Sequence, residues 1–224
     1  MFFSGLLLTL LAVASASEVC YTDVHASCNS NANPDSQTLV QNCNAKYGAI
    51  DNLLVDLQGY ANAYIDSSFE FLLYSSYFGN YENQREGFKK LYRKFSDEMW
   101  EDAIDIIKFI TKRGGQMNFN QFPEFKLPHN KSRVIEFVEI ESLAKALDIQ
   151  KQFAKEAIRI HSRAQPHTNH DASITHYIEE KFLGSLTERI RNLAGFISDL
   201  KYLLAEHDPH MSLFLFDEYL QKTL

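Results

Sequence analysis

Residues 88–115 read FKKLYRKFSDEMWEDAIDIIKFITKRGG, and their apolar positions predict the architecture of the chain. Apolar side chains recur there every three or four positions, at Phe88, Leu91, Phe95, Met99, Ala103, Ile106 and Ile110. This spacing predicts an amphipathic α-helix, because it places those side chains on one face. The helix is expected to close at Arg113-Gly114-Gly115, since glycine readily adopts the left-handed conformation that ends many helices.

The same periodicity occurs in three other long stretches, residues 47–75, 135–160 and 174–197, and in a short one, residues 212–221. About ten residues join the first two stretches, so these helices should be antiparallel neighbours. Residues 114–133 have no helical period, and ~3.3 Å per residue allows them to reach roughly 65 Å, beyond the ~40 Å length of one helix. We therefore predict an all-α four-helix bundle with one long crossover and a short fifth C-terminal helix.

Composition and charge exclude several classes of protein. The chain has 224 residues, of which 45% are hydrophobic and 13% aromatic, which is too apolar for a disordered chain. Only 9 Gly and 5 Pro residues argue against collagen, low-complexity linkers and most turn-rich β folds. The net charge of −7 disfavours nucleic acid as a partner.

The N-terminus predicts export. Residues 1–16 contain no charged side chain, and Ala14-Ser15-Ala16 has the small residues of a cleavage site, so we expect a signal peptide over 1–16. The apolar run is shorter than the ~20 residues of a membrane span, and no later stretch suggests one. The expected product is a protein of the secretory lumen with an irregular extension, 17–45, and a bundle domain, 46–224.

The extension contains all three cysteines, Cys20, Cys28 and Cys43. In an oxidising lumen, one intrachain disulfide would leave a third thiol that is either free or paired with a partner subunit. Metal ligation by the cysteines is less favoured, because no fourth ligand completes the spacing of a zinc site. The tripeptide Asn130-Lys131-Ser132 is an acceptor for N-glycosylation in the predicted crossover.

Four short motifs resemble those of ferritins, in the same order and at the same separations over residues 47–224. They are Tyr77-Phe78, Arg113-Gly114-Gly115, Thr175-His176-Tyr177 and Leu215-Phe216-Asp217. With the signal peptide and the cysteines, RGGQMNFNQ (113–121) is similar to light-chain-like subunits of secreted insect ferritins. The resemblance implies a shell of twenty-four chains that stores ferric mineral and mixes this type of subunit with a heavy-chain type.

Heavy-type ferritin subunits oxidise Fe(II) at a dinuclear site built from three Glu and one His. Ungapped alignment on the first three motifs, and on His161 in the third helix, places Tyr64, Met99, Asp102 and Gln150 at those ligand positions, and Lys181 where the family has a Gln. Asp102 alone could still bind iron, but Tyr64, Met99 and Gln150 could not assemble a dinuclear site for a hard metal. We therefore expect no dinuclear site and no ferroxidase activity, with iron present as cargo of the shell. A heavy-type oxidase with rearranged ligands is the less favoured alternative.

Lys181 and Asp102 suggest a substitute for the missing metal. We hypothesise a buried ion pair between them; alternatively, Lys181 extends its ammonium to solvent.

Two further sites are expected from acidic residues. Asp97, Glu98, Glu101 and Asp105 share one face of the second helix. The resemblance implies mineral nucleation at Asp97, Glu98 and Glu101, and helical geometry adds Asp105; an ordinary solvated acidic face is the alternative. Asp171 matches one acidic position of the family's threefold pore, but Ile174 replaces a second, and Asp171 could instead cap its helix.

The predicted function is therefore iron storage, with the redox step supplied by a heavy-type partner. The alternative is a secreted helical-bundle signalling or carrier protein.

Overall fold

The computed structural model describes residues 20–29, 41–123, 135–166, 170–206 and 208–224, and all regular structure in these ranges is helical. The helices are α1 (Cys20–Asn29), α2 (Ile50–Phe78), α3 (Glu86–Lys112), α4 (Glu139–Ala164), α5 (Ala172–Ile178), α6 (Gly184–Glu206) and α7 (Pro209–Thr223). A π turn, Glu179–Leu183, joins α5 to α6, so residues 172–206 form one continuous helical segment. The predicted all-α bundle is confirmed.

The second predicted helix, α3, forms because its apolar residues share one face and become the core. Phe88, Leu91, Met99, Ala103 and Ile106 are all buried. The helix ends as predicted: Gly114 has φ 76°, and the amide of Gly115 donates to the carbonyl of Ile110.

The bundle contains two close helix pairs. Residues 79–85 turn the chain so that α3 returns along α2, and α4 packs against the segment formed by α5 and α6. Residues 113–138 connect α3 to α4, although residues 124–134 of this crossover lie outside the described ranges. Within those ranges, no helix has the length and apolar character needed to cross a membrane.

The short helix α7 packs against α3 and α6. Asp208 caps it by accepting hydrogen bonds from the amides of His210 and Met211. Asp217 of α7 accepts from the amide of Phe88. Gly87 permits this contact, since a Cβ there would lie 2.1 Å from the carbonyl oxygen of Asp217.

The chain divides into two units, Met1–Ala45 and Lys46–Leu224. In the first unit, the prediction that the extension, residues 17–45, is irregular is wrong for residues 20–29, which form α1. Cys20 and Cys43 form a disulfide, and the amide of Asn42 donates to the Asp23 carboxylate. These two links fix α1 to residues 42–43 without an apolar core, which is why apolar periodicity did not indicate a helix.

One end of the bundle is held by a buried ion pair. The Nη2 atom of Arg113, the residue that ends α3, lies 2.8 Å from Oδ2 of Asp171, and both side chains are under 5% exposed. Arg113 also donates to the carbonyl of Tyr47 and lies 3.8 Å from the centre of its ring. Asp171 accepts from the amides of Ala49, beside α2, and Ile174, in α5. The pair thus connects the ends of three helices.

Gly48 is required at this junction. Its φ of 65° is a conformation that residues with a Cβ rarely adopt, and a Cβ there would lie 2.4 Å from Oδ2 of Asp171.

We predict that Asp171→Asn lowers the free energy of unfolding by about 3–5 kcal/mol, because it leaves a buried, unpaired guanidinium. Burial raises the pKa of Asp171, but hydrogen bonds from Arg113 and two amides outweigh it, so the pKa lies below its ordinary value. The contribution of the pair is therefore complete above about pH 4, the unfolded pKa, and is lost as the pH falls through the lower folded-state pKa.

Urea denaturation at several pH values measures this effect. Asp51→Asn is the control, since the Lys46–Asp51 pair is exposed and should contribute under about 1 kcal/mol. Equal losses for the two variants would contradict the role of the buried pair.

Candidate functional site

The bundle interior brings together the predicted positions of α2, α3 and α4. Tyr64, Met99 and Gln150 are each 0% exposed, so all three side chains face the core. Neither amide atom of Gln150 has a hydrogen-bond partner among the described residues. The three aligned positions on α2, α3 and α4 are therefore buried inside the bundle.

Aromatic rings fill the space around Tyr64. Tyr60, Tyr64, Phe153 and Phe182, which we call the aromatic cluster, come from α2, α4 and the π turn. The ring of Tyr64 lies 4.2 Å from that of Phe153 and 5.6 Å from that of Phe182, between ring centres. The Tyr60 ring meets that of Tyr64 edge-on at 4.9 Å. Offset and edge contacts of this kind add to the gain from apolar burial.

The tyrosine hydroxyls of the cluster hydrogen-bond within the protein. The Tyr60 and Tyr64 oxygens are 3.2 Å apart, and the Tyr60 hydroxyl donates to the carbonyl of Phe153. Burial raises the pKa of both phenols, and for Tyr64 the nearby Asp102 raises it further. Both phenols are therefore neutral at physiological pH, and their hydroxyls bond within the protein.

Lys181 does not enter this interior, so the hypothesised Lys181–Asp102 ion pair is wrong. Lys181 is exposed, and its neighbour Phe182 is buried. Both residues lie in the π turn. A π turn contains more residues per turn than an α-helix, so it rotates the side chains that follow it. The ungapped alignment from Thr175-His176-Tyr177 therefore assigned the inward position to the wrong residue.

Asp102 pairs instead with Arg189 of α6. Nη1 of Arg189 lies 3.0 Å from Asp102, and its Nε lies 3.0 Å from Glu98. Burial raises the pKa of Asp102, although Arg189 partly offsets this effect. One guanidinium thus balances two carboxylates at the edge of the interior, and we call these three residues the Arg189 clamp.

The interior around Tyr64 is mainly aromatic. Across the ranges that the structure describes, no three His, Cys, Asp or Glu side chains are grouped so that they could hold a metal ion. The rings of Phe153 and Phe182 surround Tyr64, and Asp102 is the carboxylate near it.

The acidic face of α3 is solvent-accessible but partly neutralised. Asp97 and Glu101 are exposed, whereas Glu98 and Asp105 are partly buried. Asp97 lies 2.9 Å from Arg93, Asp105 lies 3.8 Å from Lys108, and Glu98 belongs to the Arg189 clamp. Glu101 has no ion-pair partner among the described residues. The repulsion expected among four carboxylates is therefore relieved by three cations.

The interpretation of Asp171 as a pore residue is wrong. Its carboxylate is buried, and Arg113 and two backbone amides use both oxygens. The alternative, a helix cap, is the role that the structure shows. The side chain of Cys28 and the whole of Asn130 lie outside what the structure describes.

Two residues important to the interior, Phe182 and Arg189, were missed at the sequence level. Phe182 continues the apolar series Ile174, Ile178 and Leu186 at intervals of four, and this periodicity was the available signal for its burial. No comparable signal in the sequence pointed to Arg189.

Comparison with known proteins gives consistent matches. A family model described as "Ferritin-like domain" matches residues 56–203. The chain is 43% identical to a "Ferritin light chain" of Trichoplusia ni, covering 96% of each chain, and 40% identical to a "Ferritin light chain" of Drosophila melanogaster, covering 95% of this chain and 93% of that one. "Crystal Structure of Trichoplusia ni secreted ferritin" superposes with a TM-score of 0.84 at 43% identity, covering 92% of this chain and 99% of that chain.

We predict that Arg189→Met lowers the free energy of unfolding by about 1–3 kcal/mol, because Glu98 and Asp102 lose the charged donor that they share. Lys181→Met is the matched control and should change stability by under about 0.5 kcal/mol, since Lys181 is exposed. Urea denaturation of both variants measures the difference. If Lys181→Met lowered the free energy of unfolding more than Arg189→Met, Lys181 and not Arg189 would be the cation that pairs with Asp102.

Proposed function

Because this chain belongs to the ferritin family and is an iron-storage subunit of secreted ferritin, we propose that it is of the light-chain type, without a ferroxidase centre. The observation that carries the proposal is the aromatic cluster around Tyr64, a position that the alignment gives to a ligand of the family's oxidation site. The ring of Tyr64 packs against the rings of Phe153 and Phe182. The light-chain names of two relatives agree with this interpretation.

The clamp supports the same conclusion on electrostatic grounds. Asp102 stands at one ligand position of the family, and Arg189 already supplies its counter-charge at 3.0 Å. A ferrous ion at this carboxylate would have to displace the guanidinium or sit beside its positive charge.

A storage subunit without an oxidation site needs a partner that supplies one. We propose that a heavy-type subunit in the same twenty-four-chain shell oxidises Fe(II), and that this chain contributes to the wall and to the lining where ferric ions collect. Cys28 is the remaining cysteine beside the Cys20–Cys43 disulfide, and we propose that it links to another subunit. Asn130 is the proposed glycosylation site.

Mineral nucleation is proposed for Asp97, Glu98, Glu101 and Asp105. Exposed carboxylates are hard oxygen donors that suit ferric ions. Glu101 and Asp97 are the most available of the four, since both are exposed and the Arg93–Asp97 pair is weakly held at the surface. The alternative of a signalling or carrier protein is not favoured, because the relatives are ferritins over nearly the whole chain.

We predict that the purified chain alone oxidises Fe(II) in air no faster than protein-free buffer at the same pH. Oxygen consumption and ferric absorbance measure the rate. Shells that contain a heavy-type subunit serve as the positive control and should oxidise Fe(II) rapidly. Saturable oxidation by this chain alone would contradict the proposal.

We predict that Asp97→Asn/Glu101→Gln slows mineral growth several-fold in mixed shells while the rate of Fe(II) oxidation stays the same. These two changes remove charge without removing Glu98, whose loss would disturb the clamp. The growth of ferric absorbance after oxidation measures mineral formation.

Glu141→Gln/Asp148→Asn is the control for that experiment, because it removes two exposed carboxylates from α4. Equal mineral growth in the two double variants would reject nucleation on α3 and leave an ordinary solvated acidic face.

A further inference from the structure

The Arg189 clamp is a partly buried group of charges. The side chain of Arg189 is 12% exposed, and those of Asp102 and Glu98 are 19% and 32% exposed. In the Arg93–Asp97 pair, by contrast, both side chains are more than half exposed. Solvent screens partly buried charges much less than exposed ones, so the clamp holds its cation more firmly than the surface pair does.

The two carboxylates of the clamp converge on one small volume. Glu98 and Asp102 lie four residues apart on α3, so their side chains project from the same face of the helix. Nε and Nη1 of Arg189 each lie 3.0 Å from an oxygen of one of these carboxylates. Both nitrogens belong to a single planar guanidinium, so a divalent cation in its place would meet one oxygen from each carboxylate.

A depression between α3 and α6 gives access to the clamp. It has a volume of about 260 Å³, and its charged side chains are those of Lys94, Glu98, Glu188 and Arg189. The formal charges of these four side chains cancel. The volume is several times the roughly 30 Å³ that a water molecule occupies, so a hydrated ion can enter. The guanidinium, and not a lack of access, therefore opposes the binding of a metal ion.

An unused hydroxyl lies near the same carboxylates. The Oη atom of Tyr177 is buried and has no hydrogen-bond partner in the part of the chain that the structure describes. Burial raises the pKa of Tyr177, and the nearby Asp105 and Asp102 raise it further. This neutral hydroxyl is available to a water molecule carried by a cation beside Asp102.

The positive charge of Arg189 is permanent. Burial opposes that charge, but Asp102, Tyr64 and Glu98 outweigh it and raise the pKa of the guanidinium. Arg189 can therefore leave the carboxylates only by moving its side chain. Because it is tethered to α6, its effective concentration at the carboxylates is on the order of millimolar or more. A free divalent ion at micromolar concentration competes poorly with it.

We propose that Arg189 determines metal specificity at this edge of the bundle: its guanidinium stands where a divalent cation would bind, and it keeps Glu98 and Asp102 from acting together as a metal site. The inference rests on the proposed function and deepens it, because it names the residue that excludes metal there. Among the carboxylates proposed for nucleation, Glu98 is then the one that a resident cation holds most firmly. Asp97 and Glu101 remain exposed.

Binding of Mn(II) to the iron-free assembled protein tests the proposal, because Mn(II) prefers oxygen ligands. Electron paramagnetic resonance measures free Mn(II), since bound ions lose the sharp signal. Arg189→Met should bind about one more Mn(II) per chain than the parent, because Met removes the charge and adds no oxygen ligand. Arg189→Lys should bind no more than the parent, because it keeps a tethered cation.

Two further variants locate the additional ion. Arg189→Met/Asp102→Asn should lose it, since one of the two carboxylates is gone. Lys181→Met removes a positive charge from an exposed position of the same helical segment and should gain no ion. The proposal is wrong if correctly assembled Arg189→Met gains nothing, if Arg189→Lys or Lys181→Met gains as much, or if the ion still binds without Asp102.

Shell size and helical circular dichroism show whether Arg189→Met assembles. If it does not assemble alone, Mn(II) added during refolding should restore assembly, because the ion replaces the missing positive charge. Failure of Mn(II) to restore it would also overturn the proposal. These measurements involve neither oxidation of Fe(II) nor mineral growth, so their failure is distinguishable from failure of the proposed function.

Discussion

The guanidinium of Arg113 joins three helix ends that are far apart in the sequence. It donates to the carboxylate of Asp171, which also accepts hydrogen bonds from the amides of Ala49, beside α2, and Ile174, in α5. Arg113 donates as well to the backbone carbonyl of Tyr47. Burial of both charges makes the junction intolerant of losing either partner. The positions of α2, α3 and α5 at this end of the bundle therefore depend on the Arg113–Asp171 pair.

The interior of the bundle contains two separate sets of interactions. The aromatic cluster supplies volume, and the Arg189 clamp supplies the positive charge that Asp102 and Glu98 require. The π turn places Phe182 in the aromatic cluster and leaves Lys181 exposed, so that Arg189 is the cation beside Asp102. Asp97 and Glu101 of α3 take part in neither set and are exposed to solvent. They are the residues at which we propose that the chain contacts iron.

Most of the fold followed from periodicity, whereas the details of the site did not. Apolar spacing located the long helices, and Gly114 marked the end of α3, because these features depend on local geometry. An ungapped alignment could not show that Arg189, and not Lys181, pairs with Asp102, since a single π turn changes which residue faces inward. Asp171 was ambiguous for a different reason: a helix cap and a pore carboxylate share one residue type, and only burial distinguishes them. The helix α1 lacked an apolar stripe altogether.

The composition of the interior has a consequence for the order in which the shell and its mineral form. Because aromatic packing and one guanidinium fill the interior, we expect the subunit to fold without iron. The wall of the shell can then form before any mineral is deposited inside it.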